Sequence, residues 1–453
     1  MADGTITVRP GMSNGVLAGA AWLVLYLALC AAPLAIALAG PTPPGRDFRT
    51  ELAAGLGFLA LAVMCLQFVL TARFRRIKAP FGSDLVYAFH RDITVAVLVF
   101  AAAHPVLLWF TPQREKVLVR LDLLGSPLFP RWGFYAAVCL ALLAAAAFGR
   151  RRWRIPYEFW RRSHAVLAAA IIVLVSLHVM KERHYLGLPW KQALWAGYTA
   201  LWLGAVAWVR LGKPLALLRL PYSVESVRGE RGGAFTLAVA PDGHPGLRFS
   251  PGQFAWVTLF GSPFGDREHP FSFSGSAEAG GRLEFTIKAL GDFTRRVPQA
   301  APGERVFVDG PFGAISADRR RRAAGYAFVA GGIGITPAMS HLRTFADRGE
   351  RRPLLLLYAN NDWDSVTFRE EIAGLGSRLD LRVVHVLARP PEGWPGERGF
   401  VTEELLRRHL PQPAAGWEVF ICGPPPLMDV VERALWHLGY PAGRYHAERF
   451  DLV

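Results

Sequence analysis

HRDITVAVLVFAAAH, residues 90–104, is an apolar stretch bounded by two histidines. A second stretch repeats the plan: HAVLAAAIIVLVSLH, residues 164–178. In each, 14 residues separate the histidines (90 to 104, 164 to 178). At ~100° and ~1.5 Å per helical residue, that step returns a side chain to within about 40° of the same face, ~21 Å further along. His90 and His104 therefore share a face of one helix, and His164 and His178 a face of another. Ionisable groups inside a membrane are rare and by default functional. A lone buried histidine more often only bonds a neighbouring helix. Four at a repeated spacing point to two sites of two imidazoles each, His90 with His164 and His104 with His178. That suits bis-histidine haem, whose axial positions take neutral nitrogen ligands. Bare metal ions usually need more ligands, and the apolar runs hold no Asp or Glu.

These stretches belong to a series of six apolar runs, roughly Val16–Ala39, Leu52–Leu70, Ile93–Phe110, Gly133–Phe148, Ala165–Met180 and Ala193–Val209. A bilayer core of ~30 Å needs about 20 helical residues. The fourth and fifth runs reach that length with their flanking Trp, Tyr and His. The first is long for a signal peptide and lacks a basic start, so it reads as a retained helix. The chain of 453 residues has a net charge of +15. Residues 1–220 hold 24 Lys+Arg and 9 Asp+Glu; residues 221–453 hold 27 of each. All of the net charge therefore lies in the apolar half. With the N-terminus inside, the inner segments carry 15 basic and 4 acidic residues and the outer ones 9 and 5. That bias matches the positive-inside rule. A nucleic-acid partner needs a basic face on a folded aqueous domain, and the aqueous half is neutral. Four scattered Cys exclude a disulfide framework, a zinc ribbon and a cysteine-ligated cluster. Arg91, Arg161 and Arg162 either mark topology or pair with propionates of an inner haem. Phe100, between His90 and His104, either packs or sits between two haems.

Residues 221–316 read as short alternating strands with Gly and Pro turns, among them Phe235–Ala240, Phe254–Phe260, Leu283–Lys288 and Arg305–Val308, a small antiparallel barrel. Beyond Arg322, strands at Tyr326–Ala330, Leu354–Tyr358, Arg382–Val386 and Glu418–Ile421 alternate with helices, as in a parallel doubly wound sheet. Asp318–Arg322 reads as a linker, a solvated turn. The expected domains are 1–215, a six-helix bis-haem bundle; 216–318, a flavin-binding β-barrel; and 319–453, an α/β nucleotide-binding domain.

Three motifs carry chemistry in this half. His269-Pro270-Phe271-Ser272-Phe273-Ser274 offers a flat apolar wall, backbone donors and hydroxyls, as a flavin ring needs; alone it is only a proline turn entering a strand. Lys288 and Gly291-Asp292-Phe293-Thr294 follow, a charge and a turn whose backbone amides suit a pyrophosphate. Gly331-Gly332-Ile333-Gly334-Ile335-Thr336-Pro337 joins a strand to a helix, where glycines let a dinucleotide phosphate approach. Phe420-Ile421-Cys422-Gly423-Pro424-Pro425 puts a small thiol at a strand end, beside a nicotinamide or simply buried.

In this order the residues resemble the ferric reductase and NADPH oxidase family over nearly the whole chain. The resemblance identifies His90, His104, His164 and His178 with the four haem ligands, and His269–Ser272 with the flavin motif, Ser standing where Thr is also common. Asp309-Gly310-Pro311-Phe312-Gly313, Gly331–Pro337 and Cys422-Gly423-Pro424 match the later motifs. It makes Phe450 the aromatic that covers the flavin, although three residues follow it here. The family often has a basic residue near position 361 to hold the 2′-phosphate of NADPH. This chain has Asn361, and an amide cannot offset phosphate charge. Arg369 is the available substitute, and both NADH and NADPH stay open.

The expected function is transmembrane electron transfer from NAD(P)H through FAD and two b-type haems to an outer acceptor, dioxygen or a ferric complex. The outer loop Lys181-Glu182-Arg183-His184 either assists there or is only solvated. An electron-transfer subunit feeding a periplasmic redox protein is the alternative. A membrane-anchored flavoprotein with structural histidines is a third reading. The compact, Arg- and Ala-rich chain suggests a bacterial inner membrane, with the N-terminus and both nucleotide modules cytoplasmic.

Overall fold

The computed structural model describes residues 14–41, 44–73, 83–112, 131–150, 152–181, 183–265, 267–313 and 315–449. They divide into two compact units. One holds Ala20–Lys78 and Leu85–Leu215, and the other is built on Ala216–Val453.

The first unit is helical: α1 (Asn14–Leu38), α2 (Phe48–Thr71), α3 (Ser83–Trp109), α4 (Trp132–Gly149), α5 (Tyr157–Met180) and α6 (Pro189–Ala207). A π turn, Trp208–Gly212, carries α6 on into Lys213–Leu218. Among the described residues six helices are long and apolar enough to cross a membrane. The shortest, 18 residues long, spans about 27 Å at ~1.5 Å per residue. Leu23, Val24 and Leu27 on α1, Val95 and Val99 on α3 and Val166 on α5 all stand exposed. Such a belt of apolar side chains fits lipid better than water. Phe58, Leu61, Ile172, Trp195 and Trp202 form an inner core. α3 begins ten residues ahead of its apolar run and α5 eight residues ahead, so His90 and His164 lie inside the helices.

The second unit begins with a barrel. β1 (Tyr222–Glu230), β2 (Ala234–Pro241), β3 (Phe254–Thr258), β4 (Glu268–Ser272), β5 (Leu283–Lys288) and β6 (Arg305–Phe312) pair in the order β4-β3-β6-β1-β2-β5. An antiparallel bridge between Phe273 and Phe285 brings the chain beyond β4 against β5. A short helix, α7 (Asp292–Arg296), follows β5. The rest is a parallel sheet in the order β10-β9-β8-β7-β11-β12. Its strands are β7 (Tyr326–Gly331), β8 (Leu354–Asn360), β9 (Leu381–Leu387), β10 (Glu397–Arg398), β11 (Glu418–Cys422) and β12 (Tyr445–Ala447). Helices α8 (Ile335–Arg348), α9 (Arg369–Leu375), α10 (Glu403–His409) and α11 (Pro425–His437) connect them. Apolar clusters cover both faces of this sheet, which is why its strands read as nearly unbroken apolar runs. In the Asp318–Arg322 segment, Arg319–Arg322 are exposed in turn structure, as a solvated turn would be, and Asp318 is half-buried. Asp318 sits in a 3₁₀ turn, Ala317–Arg319, and pairs with Arg348. Burial opposes its charge, but the Arg348 guanidinium outweighs that and lowers its pKa.

Candidate functional site

In the helical unit, α3 and α5 bring the histidines together in two pairs. The rings of His90 and His164 lie 6.3 Å apart, centroid to centroid, at 71°. Those of His104 and His178 lie 6.3 Å apart at 78°. Two axial metal–imidazole bonds of ~2.0 Å, each with ~1.1 Å from nitrogen to ring centre, put the centroids about 6.2 Å apart. Direct imidazole contact would bring them closer. The pairs therefore fit a metal taking one nitrogen on each face. His90 Nδ1 donates to Gln67 Oε1 at 3.1 Å, and His104 Nδ1 to the Ala53 carbonyl at 2.7 Å. With Nδ1 so engaged, the Nε2 lone pair is left for a ligand. Gly57 and Gly133 make room for the second pair: a Cβ on either would come 3.0 Å from Nδ1 of His104 or His178. His164 Nδ1 is buried with no hydrogen-bond partner among the described residues. The His164 ring instead lies 5.3 Å from Trp160, over which Arg150 sits.

Phe100 is half-buried on α3, Arg161 half-buried and Arg162 exposed on α5. Arg91 is exposed and paired with Asp92 at 2.8 Å. Of the predicted outer loop, Lys181 is exposed and His184 lies 3.8 Å from Glu51; Glu182 is outside the described residues.

In the barrel, β4 carries His269, Pro270, Phe271 and Ser272 along the sheet edge, with Ser272 buried opposite Phe254. Phe293 ties this strand to α7. It stacks on His269 at 4.0 Å and runs nearly parallel to Phe271 at 6.1 Å. The flavin motif and the glycine turn are thus held side by side. Thr294 Oγ1 accepts from the Gly291 and Leu290 amides, each at 2.9 Å, so this side chain caps α7 rather than facing outward. Lys288 ends β5, half-buried. Asp309 is buried on β6, and Phe312 packs 6.0 Å from Phe254.

In the parallel sheet, β7 and β11 are neighbours and Ala330 pairs with Cys422. Their connections leave in opposite directions, which opens a crevice at the carboxyl ends of the strands. Gly331–Pro337 and Cys422–Pro424 line that crevice together. A Cβ on Gly334 would lie 2.4 Å from the Cys422 carbonyl oxygen, and one on Gly331 2.9 Å from Pro424 Cδ. Glycine is required for backbones this close. Tyr358 Oη donates to the Gly332 carbonyl at 3.0 Å, fixing the loop. Thr336 Oγ1 donates to Ile333 O at 3.2 Å within the turn. A cavity of about 20 Å³ touches Gly252, Gly334, Pro337, His341, Cys422 and Glu448. Burial, helped by the Glu448 carboxylate, raises the Cys422 thiol to about 12. A thiol raised this far is protonated at neutral pH and is a poor nucleophile.

At the end of β8, Asn361 accepts from Arg389 N at 2.7 Å through its backbone carbonyl. Arg389 pairs with Asp362 at 3.2 Å. Arg369, the substitute phosphate ligand, is already engaged with Glu370 at 3.1 Å, Asp364 at 3.7 Å and the Trp363 ring at 4.8 Å. Asn360 lies at the end of β8, its side-chain amide buried beside the Tyr358 hydroxyl. Phe450 lies outside the described residues.

Sequence reasoning missed Gln67, Glu448, His341 and Arg343. Gln67 could have been found as the one amide in its apolar run. His341 is fully buried; its Nδ1 donates to Pro337 O at 2.7 Å and its Nε2 accepts from Ala317 N at 3.1 Å. Burial pushes its pKa down to about 4. Arg343 reaches Ser274 O and Glu284, both at 2.9 Å, and Glu371 at 2.7 Å. It joins the strand beyond the flavin motif to α8.

Residues 56–175 match the family described as ferric reductase like transmembrane component, and residues 328–433 the oxidoreductase NAD-binding domain. The chain thus carries a segment similar to a ferric-reductase-like transmembrane component, followed by one similar to an oxidoreductase NAD-binding domain. Among curated relatives, NADH-cytochrome b5 reductase 1 of Neosartorya fischeri is 32% identical over 183 residues, covering 38% of this chain and 59% of its own. The Arabidopsis thaliana protein of that name is 32% identical over 165 residues, covering 35% and 58%. The chain thus spans under two thirds of these relatives' length. A solved ferredoxin reductase of carbazole 1,9a-dioxygenase overlaps 51% of this chain and 69% of its own, at 23% identity and a TM-score of 0.44.

Proposed function

We propose that this protein is a membrane flavocytochrome that moves electrons from NAD(P)H, through FAD and two b-type haems, to an acceptor on the outer side. The observation that carries the reading is the pair of His–His distances, both 6.3 Å, on one pair of helices. When bound, the flavin takes a hydride and returns single electrons, and haem iron carries one electron at a time. His90 and His164 hold the inner haem, and His104 and His178 the outer one. Phe271 and Ser272 face the flavin ring, with the α7 turn and Lys288 on its phosphates. The Gly331–Gly334 loop takes the nicotinamide nucleotide's pyrophosphate, and Cys422 lies beside the nicotinamide as a neutral thiol. Phe450, as the resemblance implies, covers the flavin.

NADH is the preferred donor. Arg369 is held by carboxylates and Arg389 by Asp362, so both guanidiniums near the end of β8 are already engaged and a ribose diol suits the place better than a 2′-phosphate. The module faces the cytoplasm of a bacterial inner membrane, on the basic side of the spans.

Anaerobic addition of NADH to purified protein tests the chain of transfer. Haem bands that sharpen on reduction are expected, and a spectrum without any Soret band would leave only a membrane-anchored flavoprotein. His104→Ala should remove about half of the haem; unchanged haem content contradicts the assignment. Admitting acceptors then identifies the outer step. Superoxide with NADH alone marks an oxidase, and ferric-chelate reduction that survives without oxygen marks a metal reductase. Neither activity marks a subunit serving a periplasmic redox protein.

A further inference from the structure

α2 contributes no histidine, yet it holds one imidazole of each pair. His104 Nδ1 meets the Ala53 carbonyl at 2.7 Å, and His90 Nδ1 meets Gln67 Oε1 at 3.1 Å. From 53 to 67 is 14 residues, the same step as from 104 back to 90. Two antiparallel helices in register produce this pattern, so one face of α2 serves both pairs.

The two contacts differ in kind. The first acceptor is a backbone carbonyl, which no substitution of residue 53 removes. The second is a side-chain amide, and its orientation is fixed from behind. Gln67 Nε2 lies 3.1 Å from Tyr26 Oη and 3.4 Å from the Val63 carbonyl. A carbonyl can only accept, so the NH₂ group faces Val63 and Oε1 faces His90. His90 Nδ1 must then be the donor. Its partner across the pair, His164, has no such contact at Nδ1 among the described residues. Gln67 is itself buried, 5% exposed. A buried amide in an apolar helix is costly unless its bonds are made, and here they are made.

We propose that Gln67 is a positioning residue for the haem held by His90 and His164: it fixes the His90 tautomer and lowers that haem's potential relative to an otherwise identical site. The physical cause is general. An acceptor on the far nitrogen makes an imidazole a more basic ligand, which favours the oxidised metal. This inference rests on the haem reading above and assigns a tuning role that the pairing alone does not.

The test is a redox titration of the full-length protein, followed at the haem absorption bands. Wild type is expected to titrate in two waves. Gln67→Leu keeps the volume and removes the acceptor; it should move one wave to higher potential and leave the other in place, with both haems retained. Gln67→Asn draws the amide back by one methylene and keeps the polarity; it should move the same wave the same way, and is read if the leucine variant loses haem. Gly57→Ala crowds His104, so it should displace the other wave. Wild type without haem overturns the functional reading itself. Two haem waves in wild type, unmoved in both Gln67 variants, overturn only the tuning role. So does a Gln67 variant and Gly57→Ala moving the same wave.

Discussion

His341 and Cys422 border the same small cavity, and burial holds both neutral in opposite ways. The thiol is pushed up and the imidazole down. For His341 the folded pKa of about 4 lies below the ordinary 6.5. The unfolded chain therefore binds the proton first, and stability falls as pH drops from 6.5 towards 4. The difference is worth up to about 3 kcal/mol. Thermal unfolding between pH 7 and pH 4.5 should show a shallower loss in His341→Gln, which takes no charge; parallel slopes contradict it. Gly334→Ala meets the Cys422 carbonyl with a Cβ at 2.4 Å. The backbones must part, at a cost of about 1–3 kcal/mol. The nucleotide KM should rise with little change in haem content, and an unchanged KM would show the crevice is not the nucleotide site. Asp362→Ser removes the carboxylate beside Arg389 and should cut the NADH-over-NADPH ratio of kcat/KM about tenfold. An unaltered ratio would move the specificity elsewhere.

The elements were legible to different depths, for physical reasons. Apolar runs locate spans because lipid demands them, but they do not locate helix ends. The ladder of α3 continues through Arg91, Asp92 and Thr94 because a helix satisfies its own backbone wherever water is scarce. β4 reads poorly because Pro270 interrupts it, and an edge strand tolerates a residue with no N–H. β1 falls within the stretch read as strands, but its bounds do not stand out because Glu225, Arg228 and Glu230 break its apolar alternation. The chemistry-bearing histidines stood out, since polar groups in apolar runs are conspicuous. Their partners did not, since Ala53 acts through a carbonyl that every residue carries. Helix ends show the same blindness. Lys191 is buried on α6, and its Nζ reaches the Ala37 carbonyl at 2.7 Å, in the last turn of α1. Those last carbonyls have no partner within the helix. Lys191→Met should leave this one unpaired and cost about 1–3 kcal/mol. Thermal denaturation in detergent checks it, and an unshifted midpoint would mean that water replaces the lysine.

For the whole molecule, the proposed reading makes charge an address and not a binding surface. The net +15 lies entirely in the half that carries the six spans. The half that carries the barrel and parallel sheet is neutral, so the proposal leaves discrimination between nucleotides to local groups such as Asp362 and Arg389. The basic excess follows the connections on one side, among them the one between α4 and α5 with Arg152, and the link after α6. Lys181 follows α5, at the opposite helix ends. α6 runs on to Leu218 and β1 starts at Tyr222, so only a short connection follows the last apolar helix. With basic loops retained inside, an impermeant maleimide applied to intact cells should label Lys181→Cys, while Arg152→Cys should label only after the membrane is opened. The reverse pattern would put the nucleotide module outside, where no NADH is supplied, and the proposed direction of electron flow would fail with it.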